Sequence, residues 1–275
     1  MADVTTDWIR KDERELAEEL AGENLAHANS MYSLVVPRKG PYVKYVKRAL
    51  DVILSGSALV VTLPINCALL VATYLDVGRP VLFKQYRTGR DLKPFVIVKF
   101  RNMTNEKDEN GELLPPAQRV TKLGKFVRKY SLDELLNFWS VFKGDMSIIG
   151  PRPLPEEYVD RLTERHKQRY LVKPGLECPF VAEVKEKYPC PDPYSRYQTQ
   201  FENDVWYVEH VSFATDVKEC LLLVKAVLDF KQRTGAAGVA SHFIGYDENG
   251  AATSKKHLER HAGHMGSPSR VSAGR

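Results

Sequence analysis

Cysteine is scarce in this chain of 275 residues, and no two cysteines form a C-x-x-C pair. Two of the four, Cys178 and Cys190, lie close in sequence and each precedes a proline. This arrangement is compatible with a metal site or a disulfide. Reduced thiols in a cytosolic compartment are the better expectation. The other two cysteines are Cys67 and Cys220. The sequence therefore predicts neither a disulfide scaffold nor a zinc-binding domain.

A strong excess of one charge is also missing, since 40 basic residues oppose 35 acidic residues and leave a net charge of +5. No basic stripe is interleaved with aromatic residues, so nucleic acid is not an expected partner. A mild positive charge suits an anionic membrane surface or phosphorylated substrates. With 43% hydrophobic residues, the chain is long enough for one large domain or two small ones.

Residues 1–30 lack the apolar core of a secretion signal and carry dense charge instead. Their apolar residues recur at roughly helical spacing, which predicts an amphipathic helix. These residues are Ile9, Leu16, Leu20 and Leu25. We expect residues 1–40 to form a charged helical extension that is mostly solvated.

One long uncharged run stands out: the segment from Val52 to Leu75 is mostly apolar and carries no formal charge. A straight helix of that length spans a bilayer. Pro64, however, lies in the middle and predicts a kink, which leaves two arms of about 17 Å each. Asn66 offers a polar group for the interrupted main chain.

Basic residues flank this run on both sides. They are Arg38, Lys39, Lys44, Lys47 and Arg48 before it, and Arg79, Lys84, Arg87, Arg90 and Lys93 after it. Because positive residues favour the cytoplasmic side, we expect a re-entrant helix over residues 41–78 that enters and leaves from the same side. A single membrane span and a buried helix of a soluble protein are the alternatives.

Two short β-like runs follow, Pro80–Gly89 and Pro94–Met103, and they predict a hairpin. Arg87, Lys99 and Arg101 could reach anionic groups at the ends of this hairpin, and each alone is also explained as a surface charge. The turn-rich segment 104–120 then leads to the acidic pair Asp133 and Glu134.

Ser131 followed three positions later by Glu134 matches a capping box, which predicts a helix with Ser131 as its N-cap. Asp133 and Glu134 would then lie in a first turn, where free N–H groups favour carboxylates and attract phosphate. Simple helix capping also explains such acidic residues. Arg128 lies shortly before Asp133 and Arg152 follows later in a Pro-Arg-Pro turn, and both offer a planar fork suited to phosphate.

Several motifs in this order resemble the bacterial sugar transferases, which are monotopic phosphoglycosyl transferases. The motifs are Leu50-Asp51, Lys99-Phe100-Arg101-Asn102-Met103, Ser131-Leu132-Asp133-Glu134-Leu135, Lys143-Gly144-Asp145-Met146-Ser147, Gly150-Pro151-Arg152-Pro153, Phe201-Glu202-x-Asp204-Val205-x-Tyr207-Val208 and Phe213-x-x-Asp216. The similarity covers about residues 44–234. Linked motifs in register are far more specific than any one of them.

The resemblance implies a reaction and assigns roles. Asp133 would be the nucleophile that takes a sugar phosphate from a nucleotide diphosphate sugar, with a UDP-sugar as the expected donor. Glu134 would help to hold Mg²⁺, and Arg128 and Arg152 would contact phosphate groups. The covalent phosphosugar would then pass to a polyprenyl phosphate, normally undecaprenyl phosphate, at the cytoplasmic face of the bacterial inner membrane.

The sequence departs from the family after Pro174-Gly175, where residues 176–187 replace the usual continuation. Lys185 falls near the position of a missing arginine, so we count it, with Lys99 and Arg101, among the expected substrate-binding residues. The alternatives to this enzyme are a non-catalytic membrane scaffold that binds nucleotide sugar or polyprenyl phosphate, a hydrolase, and an ordinary single-span protein.

The overall expectation is an α+β, mainly helical membrane protein with a re-entrant helix, surface amphipathic helices and a small hairpin. Residues 79–234 would form the catalytic domain, and the small, polar residues 235–275 a basic, flexible tail. Apolar residues at helical spacing in 211–230 predict a helix packed on the core, or alternatively lying in the membrane interface. They are Phe213, Val217, Leu221, Val224 and Leu228. Whether the chain forms a homo-oligomer is left open.

Overall fold

The computed structural model describes residues 13–191, 194–228 and 242–265. Within these ranges helices predominate, with three separate two-stranded sheets, which confirms the predicted mainly helical α+β class. The α-helices are α1 (Glu13–Glu23), α2 (Leu25–Met31), α3 (Lys47–Val77), α4 (Pro116–Arg119), α5 (Lys122–Lys129), α6 (Asn137–Lys143), α7 (Glu164–Lys167), α8 (Ala182–Lys187), α9 (Arg196–His210), α10 (Phe213–Leu228) and α11 (Lys255–Met265). The strands are β1 (Leu82–Thr88), β2 (Pro94–Phe100), β3 (Ser147–Ile149), β4 (Gly175–Glu177), β5 (Phe243–Tyr246) and β6 (Ala252–Ser254).

Helix α3 and the π-helical turn before it form one long helix, Tyr42–Val77, long and apolar enough to cross a membrane. The helix is continuous through Pro64, so it is not divided into two helices there. Asn66 donates to the Thr62 hydroxyl at 3.2 Å, and Thr62 in turn donates to the Ala58 carbonyl. Asn66 therefore bonds to a side chain, not to the main chain as expected.

Both ends of α3 contact the domain that follows it. Near its start, the buried Asp51 carboxylate accepts hydrogen bonds from the Ser147 hydroxyl at 2.9 Å and the Ile148 N–H at 3.0 Å. Near its end, Leu69 is buried against Phe100 and Val127. The middle of α3 is exposed, with Val60 and Val61 each 74% exposed.

Strands β1 and β2 pair in antiparallel register from Leu82 opposite Phe100 to Thr88 opposite Pro94, which confirms the predicted hairpin. The buried side chains Phe95 and Ile97 pack on Val141 and Met146. The hairpin therefore carries the end of β2, with Lys99, directly beside the segment that bears the acidic pair.

Strands β3 and β4 form a short parallel pair that the sequence did not indicate. It depends on two glycines in close contact: a Cβ on Gly175 would lie 2.2 Å from the Gly150 nitrogen, and one on Gly150 would lie 2.6 Å from the Lys173 carbonyl oxygen. Only glycine permits this approach of two backbones. The Pro151-Arg152-Pro153 turn is thereby fixed against the segment after Pro174.

The two ends of the described chain pack on each other, contrary to prediction. Leu16 and Ala17 of α1 are buried against Ile244 of β5, so the N-terminal helix is not mostly solvated. Within the predicted flexible tail 235–275, residues 242–265 fold into the β5–β6 hairpin and α11. Phe243 of β5 is buried and packs edge-to-face on Phe201 of α9. The rest of that tail, residues 235–241 and 266–275, lies outside the described residues.

Helix α10 also differs from the expectation of core packing. Its apolar stripe faces outward, with Phe213 57%, Val217 42%, Leu221 65% and Val224 55% exposed. The inward face carries the buried acidic residues Asp216 and Glu219. The prediction was wrong because a stripe at helical spacing identifies an apolar face but not what covers it. The fifth predicted position, Leu228, has a side chain outside the described ones.

Candidate active site

The acidic pair does not lie in the first turn of an α-helix, so the capping-box prediction is wrong. Ser131 adopts a left-handed conformation (φ 54°, ψ 30°), and its side chain makes no capping hydrogen bond. Leu132–Glu134 form one 3-10 turn, and α6 begins only at Asn137. A helix dipole therefore does not stabilise the charges of Asp133 and Glu134. The neighbouring side chains do so instead.

Asp133 is 8% exposed and is held by an amide that the sequence analysis missed. The Asn102 side-chain amide donates to Asp133 Oδ2 at 3.1 Å. The Asn102 side-chain oxygen accepts two hydrogen bonds from Arg128, at 3.0 and 2.9 Å. Since the guanidinium only donates, the amide orientation is fixed by its partners. Arg128 thus reaches Asp133 through Asn102.

The position of Asn102 depends in turn on Gly124 of α5. A Cβ on Gly124 would lie 2.2 Å from the Asn102 main-chain oxygen, so no larger residue fits without displacing that backbone. Helix α5 begins at the Thr121 N-cap, whose hydroxyl accepts from the Gly124 N–H at 2.8 Å. Helix α5, which supplies Arg128, therefore also fixes the position of the Asn102 main chain.

Glu134 has a different environment, because two cations bind the same oxygen. Lys99 Nζ and an Arg152 nitrogen each lie 2.6 Å from Glu134 Oε1. Arg152 also contacts Glu177 Oε2 at 3.2 Å and donates to the Leu176 carbonyl. Lys99, Glu134, Arg152 and Glu177 therefore form one charged cluster that joins β2, the 3-10 turn, the Pro151-Arg152-Pro153 turn and β4.

The Arg152 turn has a buried support. Arg169, 2% exposed, donates to the Arg152 main-chain carbonyl at 2.6 Å and pairs with Asp204 at 2.8 Å. A buried guanidinium is costly unless it is paired, so Asp204 on α9 stabilises this arrangement. This contact gives a structural reason for an aspartate at Asp204 in the Phe201-Glu202-x-Asp204 motif.

The two carboxylates have opposite pKa shifts. Burial raises the pKa of Asp133, and the negative charge of Glu134 raises it further, against the opposing effects of Lys99 and Arg128. Burial also acts to raise the pKa of Glu134, but Arg152 and Lys99 outweigh it and hold that pKa below its usual range. Glu134 is therefore the ionised partner of two cations, while Asp133 is the more basic carboxylate.

Two predicted binding residues are not brought into this cluster. The Arg101 guanidinium donates to the main-chain carbonyl of Val77, the last residue of α3, so it caps that helix. Lys185 lies exposed on α8, and in the described ranges no hydrogen bond or ion pair joins it to Asp133 or Glu134. Their substrate-binding roles stay predictions.

Of the residues that the sequence analysis missed, only Asn102 had a signal. It lies within the Lys99–Met103 motif, next to two cations that were singled out. Nothing in the sequence marks Glu177, which joins the cluster because β4 pairs with β3. None of the four cysteines, all of which the structure describes, forms a disulfide.

The carboxylates of Asp133 and Glu134 are suitable ligands for the predicted Mg²⁺. Mg²⁺ prefers oxygen ligands and is usually held by one or two carboxylates together with substrate phosphates. Asp133 and Glu134 supply such oxygens, and Glu134 Oε2 is not used by Lys99 or Arg152. Among the described residues, no group of three or more His, Cys, Asp or Glu could hold a metal. The residues therefore fit a cation shared with a substrate diphosphate, not a closed protein cage.

Comparison with known proteins relates this geometry to a family. The sequence model of the bacterial sugar transferase family matches residues 42–230, which include the charged cluster, Asn102 and both ends of α3. The chain belongs to this family. The predicted resemblance is thereby confirmed.

The similarity to individual sugar transferases differs in extent. The chain is 40% identical over 183 residues to the uncharacterized sugar transferase EpsL of Bacillus subtilis, covering 66% of this chain and 87% of that protein. It is 30% identical over 223 residues to the UDP-N-acetylgalactosamine-undecaprenyl-phosphate N-acetylgalactosaminephosphotransferase of Aeromonas hydrophila, covering 78% and 51%. It is 35% identical over 188 residues to the UDP-glucose:undecaprenyl-phosphate glucose-1-phosphate transferase of Escherichia coli, covering 66% and 40%. The chain thus spans about half or less of the two relatives with named substrates.

Proposed function

We propose that this chain transfers a sugar 1-phosphate from a UDP-sugar to undecaprenyl phosphate, through a covalent intermediate on Asp133. The observation that carries the proposal is the division of the acidic pair: Glu134 is paired with Lys99 and Arg152, whereas the Asp133 carboxylate accepts from the neutral Asn102 amide. The substrates are inferred from the two relatives described above, whose names give a UDP-sugar and undecaprenyl phosphate.

In the first step, an Asp133 oxygen attacks the phosphorus that carries the sugar. A bond forms between that oxygen and phosphorus, and the bond to the bridging diphosphate oxygen breaks, so nucleoside monophosphate leaves with the electron pair. In the second step, an oxygen of undecaprenyl phosphate attacks the same phosphorus. The Asp133 carboxylate then leaves, and the product is undecaprenyl diphosphate sugar.

Both steps bring anions together, so the site must supply positive charge. Arg128 is positioned by Asn102 beside Asp133, and Arg152 and Lys99 lie on the other side at Glu134. Glu134 would be the residue that holds Mg²⁺, and the ion would supply further positive charge against the donor diphosphate when bound. The elevated pKa of Asp133 suits its role, because a more basic carboxylate is a better nucleophile once it is ionised.

The same proposal places the chain in the bacterial inner membrane, with the site facing the cytoplasm. It is supported by the contacts of both ends of α3 with one domain, since a re-entrant helix must return to the side from which it enters. The exposed middle of α3, around Pro64, would then be the part that enters lipid. A shallow insertion keeps Asp133 near the phosphate of a lipid-borne acceptor.

The test is a panel of UDP-sugars with undecaprenyl phosphate and Mg²⁺, reading UMP formed. Asp133→Asn should abolish turnover while the protein stays folded and membrane-bound, and a phosphosugar adduct should be trapped on Asp133 of the unmodified chain. Glu134→Gln should weaken the dependence on Mg²⁺ or abolish activity. UMP release without lipid would indicate a hydrolase, and binding of donor without UMP release would indicate a non-catalytic scaffold.

A further inference from the structure

An apolar cavity of about 280 Å³ lies between α10 and the start of the membrane helix α3. Its walls include Leu50 and Leu54 of α3, Ile148 and Ile149 of β3, and Val217 and Leu221 of α10. The volume approaches the lower end of the range for small-molecule pockets, about 300 Å³. A cavity with such a lining selects hydrocarbon over polar ligands.

The polar groups at the base of the cavity are already satisfied by one another. Lys47 donates to Asp216 at 2.6 Å and to the Ile149 carbonyl at 3.1 Å. The hydroxyls of Tyr42 and Tyr207 also donate to Asp216. Lys47 is the one cationic residue among those that line the cavity, all of which the structure describes. No lining charge is therefore free to recognise an anionic headgroup at this place.

The rim of the cavity is continuous with the surface of the membrane helix. Leu221 of α10 and Leu54 of α3 both line the cavity and are also 65% and 49% exposed at the protein surface. Exposed apolar patches of this kind mark binding sites or membrane contacts. A lipid chain that lies against these exposed side chains can thus reach the cavity along apolar residues.

The cavity also lies close in sequence to the charged cluster, because β3, which lines the cavity, ends just before the Pro151-Arg152-Pro153 turn. Ile149 precedes Arg152 by three positions, so their Cα atoms are at most about 11 Å apart. Arg152 binds Glu134 directly. A lipid whose phosphate lies at Arg152 therefore begins its chain within a short reach of the cavity.

We propose that this cavity takes the isoprenoid chain of the polyprenyl phosphate acceptor near its phosphate end. This inference rests on the proposed function and adds a binding site for the lipid to it. The acyl chain of a bilayer phospholipid is the rival source of hydrocarbon, and the experiments below separate the two.

The first experiment fills the cavity in the full-length chain. Val217→Trp adds an aromatic ring at the cavity wall, and Ala214→Trp adds the same ring at an exposed α10 position outside the lining. We expect Val217→Trp to lower kcat/KM for undecaprenyl phosphate about tenfold or more, and to change kcat/KM for a short prenyl phosphate of a single isoprene unit less than about twofold. Ala214→Trp should change neither. Equal effects of the two variants, or a parallel loss with the short acceptor, would overturn the inference.

Exchange of labelled UMP into the UDP-sugar, measured without lipid, isolates the first step. It should be unchanged in Val217→Trp. If the unmodified chain shows no exchange with any donor, the proposed function is wrong. If exchange is intact but Val217→Trp leaves kcat/KM for undecaprenyl phosphate unchanged, only the proposed lipid site in the cavity is wrong.

Photocrosslinking tests occupancy without turnover. Undecaprenyl phosphate with a photoreactive group on its second isoprene should label peptides from α10 or the start of α3, and unlabelled undecaprenyl phosphate should compete. An excess of phosphatidylglycerol that competes equally well, or labelling elsewhere only, would contradict the proposal.

Discussion

Asn102 offers the sharpest test of how the site works, because it is the link between Arg128 and Asp133. Asn102→Leu keeps much of the side-chain volume but removes both the donor to Asp133 and the acceptor for Arg128. The variant therefore separates the effect of this link from the carboxylate itself. We expect it to fold, because the substitution lies at the end of the hairpin and leaves the Gly124 contact with the main chain intact.

The magnitude follows from the type of hydrogen bond that is lost. A hydrogen bond to a charged group contributes about 1.5–3 kcal/mol, and about 1.4 kcal/mol corresponds to a tenfold change in an equilibrium. The bond favours ionised Asp133, so its loss should move the acid limb of the first step up by about one to two pH units. Burial and Glu134 already raise this pKa, so the change adds to an existing trend.

The assay is UMP exchange as a function of pH, without lipid. Asn102→Asp should raise the acid limb at least as far, because it places a second negative charge beside Asp133. Gly124→Ala should reproduce part of the effect by displacing the Asn102 backbone. Asn110→Leu, in an exposed loop, is the matched control and should behave like the unmodified chain. An acid limb that does not move in Asn102→Leu would refute the assigned link.

Three further outcomes are expected. Lys99→Met should also raise the acid limb, because the Lys99 charge lowers the pKa of Asp133, and the pH profile of UMP exchange measures this. Gly175→Ala should lower stability by about 2 kcal/mol or more through its backbone clash with Gly150, whereas Gly22→Ala, with no atom within 4 Å, should not; thermal unfolding in detergent compares them. Glu219→Gln should stabilise the fold above pH 7 by up to about 3 kcal/mol. Glu219 is fully buried, has no partner among the described residues, and its pKa is raised to about 7 mainly by burial, so its ionisation costs stability as pH rises from about 4.5 to 7. Unfolding curves at about pH 5 and pH 8 should show the gain of Glu219→Gln only at the higher pH.

Local sequence patterns predicted the secondary structure well where it depends on one apolar face or on one turn. The β1–β2 hairpin and the long apolar helix are examples, since both depend on runs of residues close in sequence. The capping-box prediction is wrong because that motif covers only four residues and ignores the helix before it. Ser131 ends a turn that closes α5, with its N–H bonded to the Arg128 carbonyl, and this prior helix outweighs the local capping preference.

Long-range pairing explains what the sequence could not indicate. Glu177 joins the site only because Gly150 and Gly175, which are distant in sequence, bring β3 and β4 together. The same holds for the ends of the described chain, where α1 is covered by β5 from the opposite end. Periodicity gave the apolar face of α1 correctly, but the partner that buries that face cannot be read from local spacing.

The acidic pair shows why identical charges can have separate roles. Glu134 neutralises Lys99 and Arg152 and so holds together three segments that are distant in sequence. Asp133 has no direct ion pair among the described residues, and burial together with the charge of Glu134 raises its pKa. Pairs of carboxylates whose environments push their pKa values apart are those that divide acid–base and nucleophilic roles in enzymes. In this chain the division favours Asp133 as nucleophile, because forming a bond at Glu134 would release two cations that fix the Arg152 turn.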